Sequence, residues 1–320
     1  MPSQFSCPHC KAVLALADPV VTLVRPPSSP ATTGPTKGTQ TKGINVITFN
    51  VRYEDLAAGK SPYQGSANGY LHLVAALPGI KARGGQVIIT LSRGGSRDAK
   101  GLSVAAATHT IHKYDAVALA AYIADGTIVG LMIGDDITAP EWGPNRPYLD
   151  RYDAIAGVAQ AYLPGINVLI RARPGELMGY AWKNKVVAWA QYSARRGDPA
   201  EYVAENQALA ARMGTTTLFG LNVLNGGDGS SNILGTQPKG WQMSAQEILA
   251  YGKVLLPKTH AFPVWRFTGH KFDMSLPEGV PATALEGIKA FDSRPDVRAA
   301  FAELQKLGAS LPRPPIKVEA

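Results

Sequence analysis

Asp135 and Asp136 end a run of apolar and small residues, Ile128 to Gly134, and Trp142-Gly143 follow a few positions on. Two acids in such a place suit acid–base or nucleophilic work. Hydrolysis of a glycosidic bond needs two carboxyl groups, about 5–5.5 Å apart for retention and about 6.5–9.5 Å apart for inversion. The other carboxyls that could complete a pair are Glu176, just after Arg173-Pro174-Gly175, and Asp228, inside Asn225-Gly226-Gly227-Asp228-Gly229-Ser230-Ser231. Each has a plainer reading. Asp135 and Asp136 can cap a helix or pair with an arginine such as Arg171. Glu176 can be solvated loop, and the 225–231 stretch can be a flexible turn or a cation-binding loop. Adjacent strand residues point to opposite sides, so only one acid of the Asp135-Asp136 pair is expected to face a common site.

Around these acids the chain places groups that suit sugars, namely amides and charges for hydroxyls and aromatic faces for C–H patches. Asn50, Arg171, Tyr192, Asn222, Trp265 and Arg266 are the candidate substrate contacts. Trp189 lies mid-run and reads equally well as core. His109 and His112 stand i,i+3 with no carboxylate near them, which reads as surface rather than as a metal site. No Gly-x-Ser-x-Gly elbow, phosphate loop or His-Glu-x-x-His is present, and no cofactor or metal is expected.

The elements that must position these residues alternate. Short apolar, β-branched runs occupy 44–50, 86–92, 128–135, 166–173, 186–192, 217–224 and 262–267. Segments of helical period occupy 68–82, 104–124, 148–162, 200–213, 244–256 and 295–306. Leu77-Pro78-Gly79, Ala124-Asp125-Gly126, Leu163-Pro164-Gly165 and Arg212-Met213-Gly214 each read as a helix end closed by glycine. This is the grammar of parallel βα units. A doubly wound sheet shares it, but no Gly-x-Gly-x-x-Gly follows the first run, and the runs end in polar side chains. The expectation is therefore an α/β fold of (β/α)8 TIM-barrel type over 44–307, with seven clear strands and the eighth irregular or absent. The site is expected at the carboxyl ends of the strands.

Outside that body, residues 1–43 form an N-terminal tail and 308–320 a C-terminal one. Cys7 and Cys10 are the chain's two cysteines, and Cys-x-x-Cys is half of a tetrahedral zinc site, with no second pair to complete it. Residues 25–42 are rich in Pro, Thr, Ser and Gly and read as an extended, disordered linker. The apolar stretch 13–24 suits docking onto a protein partner. The formal net charge is +8, but Lys and Arg are scattered and match no nucleic-acid motif. No stretch reaches the roughly 18 apolar residues of a membrane span, and the N-terminus lacks the charged start and apolar core of a signal peptide.

Several segments resemble a group of uncharacterised, exported bacterial barrel proteins of glycoside-hydrolase type. They are 126–136, Trp142-Gly143, 219–231, 243–252 and 264–267. The stretch Asn222-Val223-Leu224-Asn225-Gly226-Gly227-Asp228-Gly229-Ser230-Ser231 is the most specific of them. That group often carries Asp-Glu-Pro where this chain has Asp135-Asp136-Ile137, so Asp136 stands where the glutamate would be, one methylene shorter. The resemblance implies an extracellular or cell-surface barrel that acts on or binds a polysaccharide. The alternative is a non-catalytic structural or binding subunit of a larger assembly, tethered by residues 1–43.

Overall fold

Runs that are apolar on both faces suit strands covered on both sides, and that is how they are used. The computed structural model describes residues 43–49, 64–68, 72–91, 96–98, 101–135, 137, 148–235, 240–265 and 294–316, with two short strands near the amino terminus. The barrel strands are β1 (Val46–Phe49), β2 (Gln64–Asn68), β3 (Val87–Thr90), β4 (Ile128–Asp135), β5 (Val168–Arg171), β6 (Val187–Tyr192), β7 (Thr217–Asn222) and β8 (Phe262–Trp265). All neighbours pair in parallel, and β8 returns to β1 through Phe262↔Val46 and Val264↔Thr48, which closes the barrel. Seven strands coincide with the apolar runs. The eighth, β2, reads Gln-Gly-Ser-Ala-Asn and carries no apolar signal; its backbone pairs with β1 through Ile47↔Gln64 and with β3 through Ser66↔Ile88.

Period-two alternation sorts the side chains. Ile47, Ile88, Val129, Met132, Leu169, Val187, Trp189 and Leu218 form the cluster inside the barrel. The intervening residues pack outward on the helices. Ile89, Leu131 and Ile170 meet Ile80, Ile111 and Ile155 on one side. Val46, Phe219 and Val264 meet Ile248, Phe301 and Leu304 on the other. Each such side chain contributes about 1.5–3 kcal/mol by leaving water.

The helices are α1 (Leu73–Ala82), α2 (Val104–Ile111), α3 (Ala116–Ala124), α4 (Leu149–Tyr162), the single turn α5 (Pro174–Leu177), α6 (Pro199–Arg212), α7 (Ala245–Leu255) and α8 (Pro295–Ser310). Two expectations are corrected here. Pro78-Gly79 does not end α1, because Leu73, Ala76, Leu77 and Ile80 bury one face and carry the helix through the proline to Ala82. The stretch 104–124 is two helices, because Asp115 starts a new one by accepting from the Ala118 N–H at 3.0 Å.

After α8 the chain runs as a strap across the amino ends of the strands. Arg313 Nε donates to Gly43 O at 2.7 Å, His260 Nδ1 meets Pro314 O at 2.8 Å, and Ile316 packs against the cluster inside the barrel. Chain contacts separate Met1–Thr36 from Lys37–Ala320, and in the first unit Phe5–Ser6 pairs antiparallel with Val13–Leu14. Cys7, Cys10 and the 25–42 linker lie outside the described residues.

Candidate functional site

The inward positions nearest the carboxyl ends of the strands are read off the same alternation. Thr90 follows Ile88, Arg171 follows Leu169, Gln191 follows Trp189, and Asn222 lies four residues beyond Leu218. Trp265 packs against the inner cluster directly. Asp135 reaches this set through an irregularity. The β4–β5 register shifts between Met132 and Gly134, so that Met132↔Leu169 is followed by Gly134↔Ile170 and Asp135↔Arg171. An extra residue of this kind re-aims the side chains beyond it. Met132 joins the inner cluster, whereas a Cβ on Gly134 would lie 2.8 Å from Tyr152 Cε1, on the α4 side. Only glycine fits there, and Asp135 is left level with Arg171.

Arg171 is the hub. Its side chain is 8% exposed and that of Asp135 is 18% exposed, so the pair is largely withdrawn from solvent. Arg171 Nε donates to Asp135 Oδ1, and Nη1 donates to Gln191 Oε1 at 2.7 Å. The guanidinium carbon lies 5.2 Å from the centre of the Trp265 ring, within cation–π range. Gln191 Nε2 donates to Leu221 O at 3.4 Å, and Asn222 Oδ1 accepts from the Asn225 N–H at 3.0 Å. Thr90 is buried, and its hydroxyl has no hydrogen-bond partner among the described residues. The arginine pairing weighed as the plain alternative for the acids is thus present at Asp135.

The remaining candidates sit elsewhere. Glu176 belongs to α5 and forms a capping box there; its Oε2 accepts from the Arg173 N–H at 2.8 Å, and its Oε1 lies 3.3 Å from Arg173 Nη2. Asp228 is exposed on the loop after β7. Its carboxylate accepts from the Ser230 N–H at 2.7 Å, which holds it below the usual range. That loop is tied to the start of α7. The Asp228 N–H donates to Glu247 Oε1 at 2.8 Å, and the Ser230 hydroxyl lies 3.0 Å from Glu247 Oε2. Glu247 also caps α7 through Ser244. Tyr192 faces the helices. Its hydroxyl donates to Gly197 O, it packs edge-on against Tyr202 and Tyr251, and burial pushes its hydroxyl up to about 12. Asn50, Asp136 and Arg266 lie outside the described residues.

Gln191, at the carboxyl end of its apolar run, was expected at this end of the barrel, whereas Thr90 was not among the candidates. Its signal was available, since it lies two residues beyond the inward Ile88. Among the described residues no group of three or more His, Cys, Asp or Glu side chains is placed to hold a metal, and no helix is long and apolar enough to cross a membrane.

No protein-family model and no curated protein sequence matches this chain. Solved structures do. An exo-β-1,4-mannosidase from Opitutaceae bacterium strain TAV5 aligns with a TM-score of 0.50 at 12% identity, over 82% of this chain and 60% of its own. An endo-β-1,4-mannanase from Thermotoga petrophila aligns with a TM-score of 0.49 at 10% identity, over 86% of this chain and 78% of its own. A D-psicose 3-epimerase aligns with a TM-score of 0.48 at 12% identity, over 83% and 100%. The chain is a TIM-type barrel, similar in fold to the mannosidase. Fold alone does not carry chemistry.

Proposed function

We propose that this barrel binds a carbohydrate polymer at the carboxyl ends of its strands and does not cleave it there. The observation that carries the reading is the Asp135–Arg171–Gln191 chain beneath Trp265. It offers one aromatic face and a rigid set of polar groups, which suits recognition of a sugar ring. It also engages the one carboxyl that the described strands bring to this end. Hydrolysis needs a second carboxyl at a defined separation, and Glu176 and Asp228 are each committed to backbone N–H groups. In this assignment Trp265 stacks on the sugar, and Asn222 and Gln191 meet its hydroxyls. Asn50 and Arg266, adjoining β1 and β8 in sequence, are assigned with them. The Pro/Thr-rich segment 25–42 then tethers the barrel to a protein partner through residues 1–43, at a cell surface or outside the cell.

The test is titration of the full chain with mannan, cellulose and xylan oligosaccharides, alongside a sensitive assay for released reducing ends. The expected result is saturable binding, weakened about tenfold or more in Trp265→Ala, with no reducing ends released. Turnover that disappears in Asp135→Asn would replace this reading with a glycosidase using Asp135 or Asp136 with Glu176 or Asp228. Binding indifferent to Trp265→Ala would remove the site from this end of the barrel.

A further inference from the structure

At the opposite end of the barrel the strap lines a cavity of about 300 Å³. Its walls come from the end of α6 (Gln207, Ala210, Ala211), the turn into β7 (Gly214–Leu218), the turn into β8 (Lys258, His260) and the strap itself (Pro314, Pro315). Gln207, Thr216 and Lys258 have no side-chain partner among the described residues, and His260 has one, at Nδ1. Convergent polar side chains in an otherwise apolar cavity are the pattern of a small-molecule site, and about 300 Å³ is the lower end of the usual size range.

The chemistry of these groups restricts the occupant. Pro314 O can only accept, so the His260 contact fixes the proton on Nδ1 and leaves Nε2 as a bare acceptor. An acceptor calls for a ligand hydroxyl. Lys258 is donor-only and cationic, and it is the one charged residue among the lining side chains. It calls for an anionic group. Thr216 and Gln207 can give or take a hydrogen bond, and Ala210, Ala211, Pro314 and Pro315 supply apolar faces for C–H groups. We propose that this cavity, at the amino ends of β7 and β8, binds a small hydroxylated carboxylate of the size of one sugar acid. Because the strap is one wall, an occupied cavity also holds residues 313–316 in place.

The experiment is calorimetric titration of the full chain with glucuronate, with glucose and acetate as controls that lack the charge and the hydroxyls respectively. The expected result is saturable binding of one glucuronate, at least tenfold tighter than either control, and weakened at least tenfold in Lys258→Ala. That residue is exposed, so the variant should fold. Backbone amide exchange at Arg313 and Ile316 should slow on binding, Pro314 and Pro315 having no N–H to report. Absence of saturable binding, acetate binding as well as glucuronate, or an unchanged affinity in Lys258→Ala would each overturn the proposal. Trp265→Ala separates it from the site at the other end: glucuronate affinity should be unchanged there, and its loss would move the ligand to that end and sink the amino-end site.

Discussion

His260 ties the strap to the barrel, and its replacement by glutamine tests whether that tie governs acid stability. Burial lowers its imidazole from 6.5 to about 4, with Arg313 opposing the charged form as well, while the contact with Pro314 O works the other way. Lys258, the other cation near it on the same turn, is exposed. The sign follows from the proton balance. The folded chain keeps the ring neutral down to about pH 4, whereas the unfolded chain takes up a proton near 6.5. The stabilisation is therefore complete above about pH 6.5 and is lost as the pH falls from there to about 4. At about 1.36 kcal/mol per pH unit this amounts to at most about 3.4 kcal/mol, and solvent at the partly exposed ring trims it to about 2 kcal/mol. His260→Gln keeps an N–H for Pro314 O but cannot titrate. Urea unfolding of both proteins at pH 4.5, 5.5, 6.5 and 7.5 isolates the effect, because carboxylate contributions cancel in the difference. The wild-type chain should lose about 2 kcal/mol more than the variant across that interval. Parallel pH profiles would refute the claim that a neutral His260 holds the strap.

Arg171→Met should destabilise by about 3 kcal/mol, since it strands Asp135 in a site largely shielded from water. Arg171→Met/Asp135→Leu should recover most of that loss in the same urea titrations, and a double variant no better than the single would show that the pair is not the issue. Glu247→Ala removes the acceptor for Asp228 N–H, Ser244 N–H and the Ser230 hydroxyl. It should cost about 1–2 kcal/mol as a lost cap and speed amide exchange at residues 228–231, whereas unchanged exchange there would mean that the loop holds itself.

The strands that could be read in advance are those buried on both faces, because burial demands an unbroken apolar run. β2 escaped because Gln64–Asn68 carries no apolar run, although its backbone pairs with both β1 and β3. The site was legible as a set of positions but not as a set of contacts. Strand parity places Gln191 inward and Tyr192 outward once Trp189 is known to lie inside. Gly134 inside the 128–135 run marks a bulge, but nothing local says that the bulge leaves Asp135 level with Arg171. The amino-end cavity is drawn from residues between 207 and 315, and apart from the helix-end Gly214 none belongs to a pattern, so no spacing rule could have assembled it.

The closing contacts of the barrel join the two ends of its sequence. Val46 N–H donates to Gln305 Oε1 at 2.9 Å, Ile44 N–H to Gly308 O at 2.8 Å, and β1 finds its second neighbour only in β8. During synthesis, β1 leaves the ribosome long before either partner exists. It must wait through more than two hundred residues with one edge open, and an open edge invites pairing with other chains. Contacts of such separation also slow folding.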